Sequence, residues 1–177
     1  MKAFRLILLS LLLLAAGYNV FLWTITFDKT SLENLNGGEV QVIGHSGVGF
    51  ASLFPFKYFP SNSYGSISKV LDEYGAYGVE VDLHLTADKQ FVLFHDGKLD
   101  NKTKLSGCTG DKTLAELTQT NYELGFPFDW FQSERIIGLA ELIDSLHKRK
   151  EFPMLHLDVR NWNECNTPQE NGVLEGE

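Results

Sequence analysis

Apolar and polar positions along the chain predict strands separated by helices. Aliphatic residues recur at helical spacing in three segments, and β-branched or alternating apolar runs lie between them. In chain order the predicted elements are the strand VQVIGH (40–45), the helix SISKVLDEYG (66–75), the strand GVEVDLHLT (78–86), the returning strand FVLFHD (91–96), the short helix TLAELTQT (113–120), the helix LAELIDSLHKR (139–149) and the strand FPMLHLDVR (152–160).

This order of elements limits the fold to a few architectures. Strands that alternate with helices favour parallel pairing through crossover connections, in an open doubly wound sheet or in a closed (β/α) barrel. Polar strand faces favour the barrel, so the predicted fold class is α/β: a partial TIM-type (β/α) barrel, roughly its first half, preceded by an N-terminal hydrophobic segment. The predicted organisation is a leader at 1–27, a linker at 28–39, the barrel domain at 40–162 and a polar tail at 163–177.

The leader is a targeting segment. Lys2 and Arg5 precede an apolar run that ends near Phe27. A cleaved signal peptide and a retained signal anchor both fit this run, which is long enough to span a bilayer at roughly 20 residues. Positive charge before the run keeps the N-terminus inside, so both interpretations predict an extracytoplasmic domain, either secreted or periplasmic, or held at the membrane.

Composition and charge narrow the set of partners. The formal net charge is −8, which argues against nucleic acid as a partner because phosphate backbones select basic surfaces. A small phosphorylated substrate remains compatible, since a bound cation inverts the local field. Cys108 and Cys165 are the two cysteines, and pairing between them in an oxidising compartment is left open by the sequence. The oligomeric state is not predicted.

Ionisable side chains collect on one face of the predicted strands. Residues i and i+2 of a strand share a face, which places Glu80, Asp82 and His84 together. The same rule predicts one face for Phe91, Leu93 and His95, and another for His156, Asp158 and Arg160. A half-solvated antiparallel sheet would explain any one of these faces. For all three together, the mouth of a barrel is the better explanation, and His45 ends its strand at the same mouth.

These residue types predict a metal-assisted acid–base site. Carboxylates without thiolates favour a hard divalent cation, Mg²⁺ or Ca²⁺, with Glu80, Asp82 and Asp158 as ligands. His45 and His95 suit proton transfer near neutral pH, one towards an attacking oxygen and the other towards a leaving oxygen. Arg160 could pair with an anionic oxygen of the substrate.

Residues 41–160 contain the motifs VIGHSG, SN at 61–62, YGAYGVEVDLHLTADKQFVLFHD, TLAEL and LHLDVR. Through these motifs the segment resembles the glycerophosphodiester phosphodiesterase family, in the phosphatidylinositol-phospholipase-C-like barrel superfamily. It implies a (β/α) barrel and metal-dependent hydrolysis of a glycerophosphodiester to an alcohol and glycerol phosphate. It matches His45 and His95 to the catalytic histidines and Glu80 and Asp82 to two metal ligands. It also assigns Asn62 and Arg160 to substrate or phosphate binding.

The sequence departs from the family pattern at four positions. Ser46 stands where the family usually has an arginine that contacts phosphate, and Ser61 stands where it usually has a glutamate. Asp158 and Arg160 replace a glutamate ligand and a lysine. These departures leave two alternatives open: a phospholipase-D-like enzyme acting on choline-bearing lipids or lysophospholipids, and a non-catalytic, secreted or membrane-tethered binding module.

The chain is short for the predicted fold. About 150 residues follow the leader, whereas a (β/α) barrel needs roughly 250, so we expect a truncated product with little activity alone, or a half-barrel completed by self-association.

His84 and His156 are interpreted as packing or supporting residues, and Asp96 as a turn cap or a group that curls back to the site. The aromatic loop 121–131 is interpreted as loop packing, with a lipid-contacting lip as the alternative.

Overall fold

A computed structural model describes residues 2–24, 40–53, 55–160 and 165 of the chain. It divides into two compact units, one of Met1–Val40 with Ser52–Lys57 and the other of Gln41–Ala51 with Tyr58–Glu177. The predicted linker 28–39 lies outside the described residues, and so does the predicted tail 163–177 apart from Cys165.

The first unit contains helix α1, Lys2–Thr24. Its segment Phe4–Leu22 is long and apolar enough to cross a membrane, a property that signal sequences share. Asn19 is a polar residue within this segment, and its side-chain amide donates to the carbonyl of Ala15 at 2.8 Å. Because that donor is satisfied within the helix, Asn19 is less costly in an apolar environment than its sequence position suggests.

The second unit is built on a five-stranded sheet with β2, Gly78–Leu85, as its central strand. β1 (Ile43–His45) and β5 (Met154–Val159) pair parallel with β2 on opposite edges. β3 (Phe91–Leu93) returns antiparallel to the C-terminal half of β2, and β4 (Ile137–Gly138) pairs antiparallel with β3. The predicted parallel pairing of the main strands is therefore confirmed, and the two-residue β4 was not predicted.

Helices cover the sheet as the apolar spacing predicts. α2 (Tyr64–Asp72) begins at Ser63, whose hydroxyl accepts from the amide of Ser66, and α3 (Leu114–Thr118) begins at a capping box. α4 (Leu139–Leu146) follows β4 directly. The main core joins one face of β2 to α2 and α4, and consists of Ile67, Val70, Val79, Val81, Leu83, Leu93, Ile137, Leu142 and Leu146.

The returning strand is shorter than predicted. β3 ends at Leu93, so His95 and Asp96 lie beyond the ladder and the alternation rule that placed His95 on a strand face does not apply to them. The opposite face of β2 is also not half-solvated, since Asp82 and His84 are buried. That burial contradicts the half-solvated sheet as the explanation for the polar face of this strand.

A disulfide joins Cys108 to Cys165, with 5.9 Å between their Cα atoms. This bond resolves the pairing that the sequence left open. It connects the loop that follows β3 to the chain beyond β5, so the segments that carry His95 and Arg160 are covalently tied. Closing a loop of 57 residues removes conformational freedom mainly from the unfolded chain.

Candidate active site

The candidate site lies where the carboxyl ends of the parallel strands meet. The register sets His45 beside Glu80 across β1 and β2, and Asp82 beside Asp158 across β2 and β5. One carboxylate oxygen from each of Glu80, Asp82 and Asp158 lies within 4.8 Å of the other two. Three oxygen donors at this spacing fit a hard divalent cation such as Mg²⁺ or Ca²⁺, and the described residues add no thiolate to the group.

Asp82 is the buried centre of the cluster. Its Oδ2 accepts from Ser46 Oγ and from Asn62 Nδ2, both at 2.8 Å, and its Oδ1 accepts from the guanidinium of Arg160. Burial would raise the pKa of this carboxyl, but the bonds from Asn62, Ser46 and Arg160 outweigh it and the pKa is lowered. The carboxyl is therefore ionised at neutral pH although its side chain is fully buried.

The other two carboxylates are held less completely. Glu80 Oε2 accepts from the backbone amide of Ser46 at 2.9 Å and lies 3.8 Å from His45 Nε2. Asp158 is about half exposed, and its Oδ2 lies 3.0 Å from Arg160 Nε. Arg160 thus contacts two of the three carboxylates, and its positive charge partly balances the cluster.

Ser46 and Asn62 both need a left-handed backbone to reach the carboxylates. Their φ angles are 50° and 63°, which is uncommon for residues with a Cβ. The amide of Asn62 donates to the carbonyl of Ser46 at 2.9 Å, and its side-chain oxygen accepts from the amide of Asp82 at 2.9 Å. Asn62 is fully buried, so the structure places it behind the carboxylates, where both ends of its amide fix Asp82.

The two histidines lie at the edge of the cluster with Phe50 between them. The Phe50 ring meets His45 at a centroid distance of 6.0 Å and His95 at 5.1 Å, edge to face in each case. The His45 side chain is 64% exposed and that of His95 is 28% exposed. The structure therefore brings both predicted histidines to one aromatic side chain, with the carboxylate cluster adjoining His45.

Asp96 curls back to His95, one of the two alternatives for this residue. Its Oδ1 lies 2.6 Å from His95 Nδ1, and its Oδ2 lies 3.0 Å from Lys102 Nζ. Burial would raise the pKa of Asp96, but His95 and Lys102 lower it overall. An ionised Asp96 makes Nδ1 the protonated nitrogen of His95, which leaves Nε2 as the nitrogen available to a reacting oxygen.

Two other histidines lie near the site in different environments. His84 is buried, its Nε2 lies 3.3 Å from the carbonyl of His95, and burial lowers its pKa. It therefore packs as a neutral ring beneath the loop of His95. His156 is exposed on β5.

Lys102 and Phe50 were missed by sequence reasoning. Lys102 Nζ lies 5.3 Å from the centroid of Phe50, and both line a cavity of about 230 Å³ together with Ser61, Leu124 and Phe128. No periodic pattern marks either residue, because Phe50 belongs to the loop after β1 and Lys102 to the loop after β3. The cavity adjoins the histidine pair through Phe50 and has a cationic side chain in its wall.

A family model and curated proteins match the part of the chain that carries most of the site residues. A model of the Glycerophosphoryl diester phosphodiesterase family matches residues 55–167, more than half of the chain. That range includes Asn62, the three carboxylates, His95 and Arg160, and it begins after His45. Among curated proteins, the glycerophosphodiester phosphodiesterase of Caldanaerobacter subterraneus subsp. tengcongensis is 33% identical over 105 residues, which are 59% of this chain and 42% of that protein. That of Bacillus altitudinis is 28% identical over 103 residues, 58% of this chain and 41% of that protein.

Solved structures extend the comparison to the fold. A glycerophosphodiester phosphodiesterase from Agrobacterium tumefaciens matches with a TM-score of 0.55 at 22% identity, over 67% of this chain and 46% of that one. An Oleispira antarctica phosphodiesterase, solved with the product sn-glycerol-3-phosphate, matches with a TM-score of 0.54 at 28% identity, over 68% of this chain and 44% of that one. The predicted partial TIM-type barrel is confirmed, and the chain spans less than half the length of these relatives.

Proposed function

Because the chain belongs to the glycerophosphoryl diester phosphodiesterase family, we propose that its site serves metal-dependent hydrolysis of glycerophosphodiesters to an alcohol and glycerol phosphate. The observation that carries the proposal is the meeting of three carboxylates, from two adjacent parallel strands, beside His45, which shares the Phe50 ring with His95. A packed structural core has no use for ionised carboxylates at this density, since burying them costs free energy.

In this proposal Glu80, Asp82 and Asp158 hold the cation, which is Mg²⁺ or Ca²⁺. The bound cation would offset the negative charge that develops on the phosphoryl oxygens. Ser46 and Asn62 keep Asp82 oriented through the bonds described above. Such supporting bonds typically change metal affinity or activity by about 10- to 100-fold.

The histidines would move the protons of the reaction. One imidazole accepts the proton of the attacking hydroxyl or water, and the other donates a proton to the oxygen that leaves phosphorus. Asp96 fixes the tautomer of His95, so its Nε2 is the atom that exchanges the proton. Arg160 and Lys102 supply positive charge near the phosphate, at a site where Ser46 replaces the arginine usual in the family.

The cavity wall favours a polar or anionic alcohol as the leaving group. Lys102 would repel a quaternary ammonium, and its contact with the Phe50 ring occupies the aromatic face that choline would use. We therefore rank glycerophosphodiesters above choline-bearing lipids. The described parallel strands are fewer than the eight of a closed barrel, so we expect slow turnover by this chain alone.

The test measures both turnover and cation binding by the full chain in nonionic detergent. Release of sn-glycerol 3-phosphate from a glycerophosphodiester, followed by ³¹P NMR, should require Mg²⁺ or Ca²⁺ and stop with EDTA. Glu80→Gln should reduce it, whereas Glu73→Gln, which alters an exposed carboxylate paired with Lys69, should not. Cleavage that survives EDTA would contradict the proposal, and cation binding without any cleavage would favour the binding module.

Arg160 should compete with the cation for the same oxygens. Its guanidinium contacts Asp82 and Asp158, and a unit charge about 4 Å away contributes several kcal/mol at an effective dielectric constant near 20. Arg160→Met should therefore raise the affinity for Ca²⁺ about tenfold or more, as measured by isothermal titration calorimetry. Arg149→Met removes a similar surface pair with Asp72 and should leave the affinity unchanged. Equal or weaker binding by the Arg160 variant would rule out competition.

We also propose an oxidising, extracytoplasmic location. The disulfide persists in such compartments and is rare in the cytosol, and α1 provides a segment of the right length for export or anchoring. Maleimide labelling of the unfolded chain, taken from cells without reductant, should find no free thiol. Quantitative labelling of both cysteines would place the chain in a reducing compartment.

A further inference from the structure

Three aromatic side chains of one loop are exposed together. Phe126 is 77% exposed, Trp130 is 76% exposed and Phe131 is 53% exposed. Scattered apolar side chains on a surface need no explanation, but several large rings exposed on one short loop indicate an interaction site. We call these three residues the aromatic knob.

The loop presents the knob in a fixed shape. Asp129 accepts from the amides of Leu124 and Gly125, at 2.9 and 2.8 Å, and from the side-chain amide of Gln132 at 2.8 Å. The rings of Phe126 and Trp130 meet edge to face at 4.9 Å. Because Asp129 holds the loop and the rings of Phe126 and Trp130 already pack together, binding would cost little conformational entropy.

The size and chemistry of the knob favour a lipid surface over a protein partner. Three partly exposed rings offer roughly 400 Å² of apolar area, well below the area of a stable protein interface. Tryptophan and other aromatic rings concentrate at the level of lipid headgroups. The carboxylate of Asp129 is satisfied by three donors, and the chain carries a net charge of −8, so a zwitterionic bilayer suits it better than an anionic one.

The chain also carries its own means of reaching a bilayer. Helix α1 contains a segment able to span one. Residues 25–42 separate α1 from β1 in the sequence, and a chain of that length reaches at most roughly 60 Å whatever its arrangement. The segment that could enter a bilayer is therefore joined to the domain that carries the aromatic loop by a tether of limited length.

We propose that the aromatic knob docks into the interface of a zwitterionic phospholipid bilayer. Leu124 and Phe128 of the same loop line the cavity beside Phe50 and Lys102. Docking would place the entrance of this cavity at the headgroup level, where a phosphodiester that carries an acyl chain is concentrated. The docking surface is independent of the hydrolytic proposal, since it requires neither the cation nor the histidines.

The three tryptophans of the chain allow a site-specific test. Trp23→Phe and Trp162→Phe leave Trp130 as the single tryptophan of the full chain. After reconstitution in phosphatidylcholine vesicles, brominated phosphatidylcholine should quench Trp130 emission about twofold or more, as expected for a ring at the interface. A matched reporter chain carries Trp130→Phe and Tyr74→Trp. Tyr74 is exposed just after α2, so this reporter should be quenched only weakly.

The reporter design isolates the knob from α1, which would bind vesicles in every variant. Adding Phe126→Asp to the Trp130 reporter should reduce its quenching to the level of the Tyr74→Trp reporter. Quenching of Trp130 that equals that of the control from the outset would overturn the proposal. A change in oligomeric size that depends on Trp130 and occurs without vesicles would assign the knob to a protein contact instead, and would overturn it as well.

Discussion

Replacing Asp82 with asparagine is expected to lower the free energy of unfolding by about 3 to 5 kcal/mol at pH 7 without added metal. The substitution keeps the shape of the side chain, so no cavity forms. It removes the charge that balances Arg160 and turns one acceptor atom into a donor that faces Asn62 and Ser46, or Arg160. Urea unfolding of the full chain in nonionic detergent and EDTA would measure the loss.

A control variant and the pH dependence of stability test whether the loss comes from a paired, ionised Asp82. Asp158→Asn alters a half-exposed partner of the same arginine and should cost about 0 to 1 kcal/mol. The pKa of Asp82 is lowered in the folded chain, so its contribution is present above the unfolded pKa near 4 and is lost as the pH falls through the folded value. The difference between parent and Asp82→Asn should therefore shrink below about pH 4. An equal stability of the two chains at pH 7 would show that Asp82 is not a paired, ionised group.

The part of the site carried by regular strands could be predicted from the sequence. Alternation placed Glu80 and Asp82 on one face of β2, and parallel pairing with in-register neighbours then brought Asp158 beside Asp82. The first step depends only on backbone geometry that every strand shares, whereas the second also needs a register, which the buried apolar faces specify. The same reasoning predicted the aliphatic face of β2 and the helices that cover it.

The rest of the site depends on loops, where no repeating geometry connects sequence to position. Ser46 and Asn62 reach Asp82 through left-handed backbone conformations, which neither residue type requires. His95 was placed on a strand face by a ladder that ends two residues earlier. Lys102 meets Asp96 because the loop folds back after β3, a path that no local pattern specifies.

Ser46, which stands where the family usually has an arginine, has a structural role in the acidic cluster. The side chain at this position is fully buried, and its hydroxyl and backbone amide donate to two different carboxylates. Ser46 therefore orients the acidic cluster from within and cannot extend to a phosphate. Under the proposed function, the positive charge for the phosphate would come from Arg160 and Lys102, both of which contact carboxylates.

Replacing either His45 or His95 with alanine is expected to lower the turnover number for a glycerophosphodiester about 10²- to 10⁴-fold. In the proposed mechanism each imidazole moves a distinct proton, so neither would take over the role of the other. Cation binding should be retained in both variants because neither histidine belongs to the carboxylate cluster, and any change should be larger for His45, which lies 3.8 Å from Glu80. The ³¹P NMR assay for sn-glycerol 3-phosphate and calorimetry with Ca²⁺ would measure the two properties separately.

Two further variants distinguish a reacting histidine from a merely structural one. His147→Ala changes an exposed imidazole at the end of α4 and should leave turnover unaltered. Asp96→Asn keeps His95 in place but removes the charge that fixes its tautomer, so it should lower the turnover number with little change in KM. If the double variant His45→Ala, His95→Ala hydrolysed the substrate as fast as the parent, the two imidazoles would have no part in proton transfer, and the carboxylate cluster alone would have to account for the reaction.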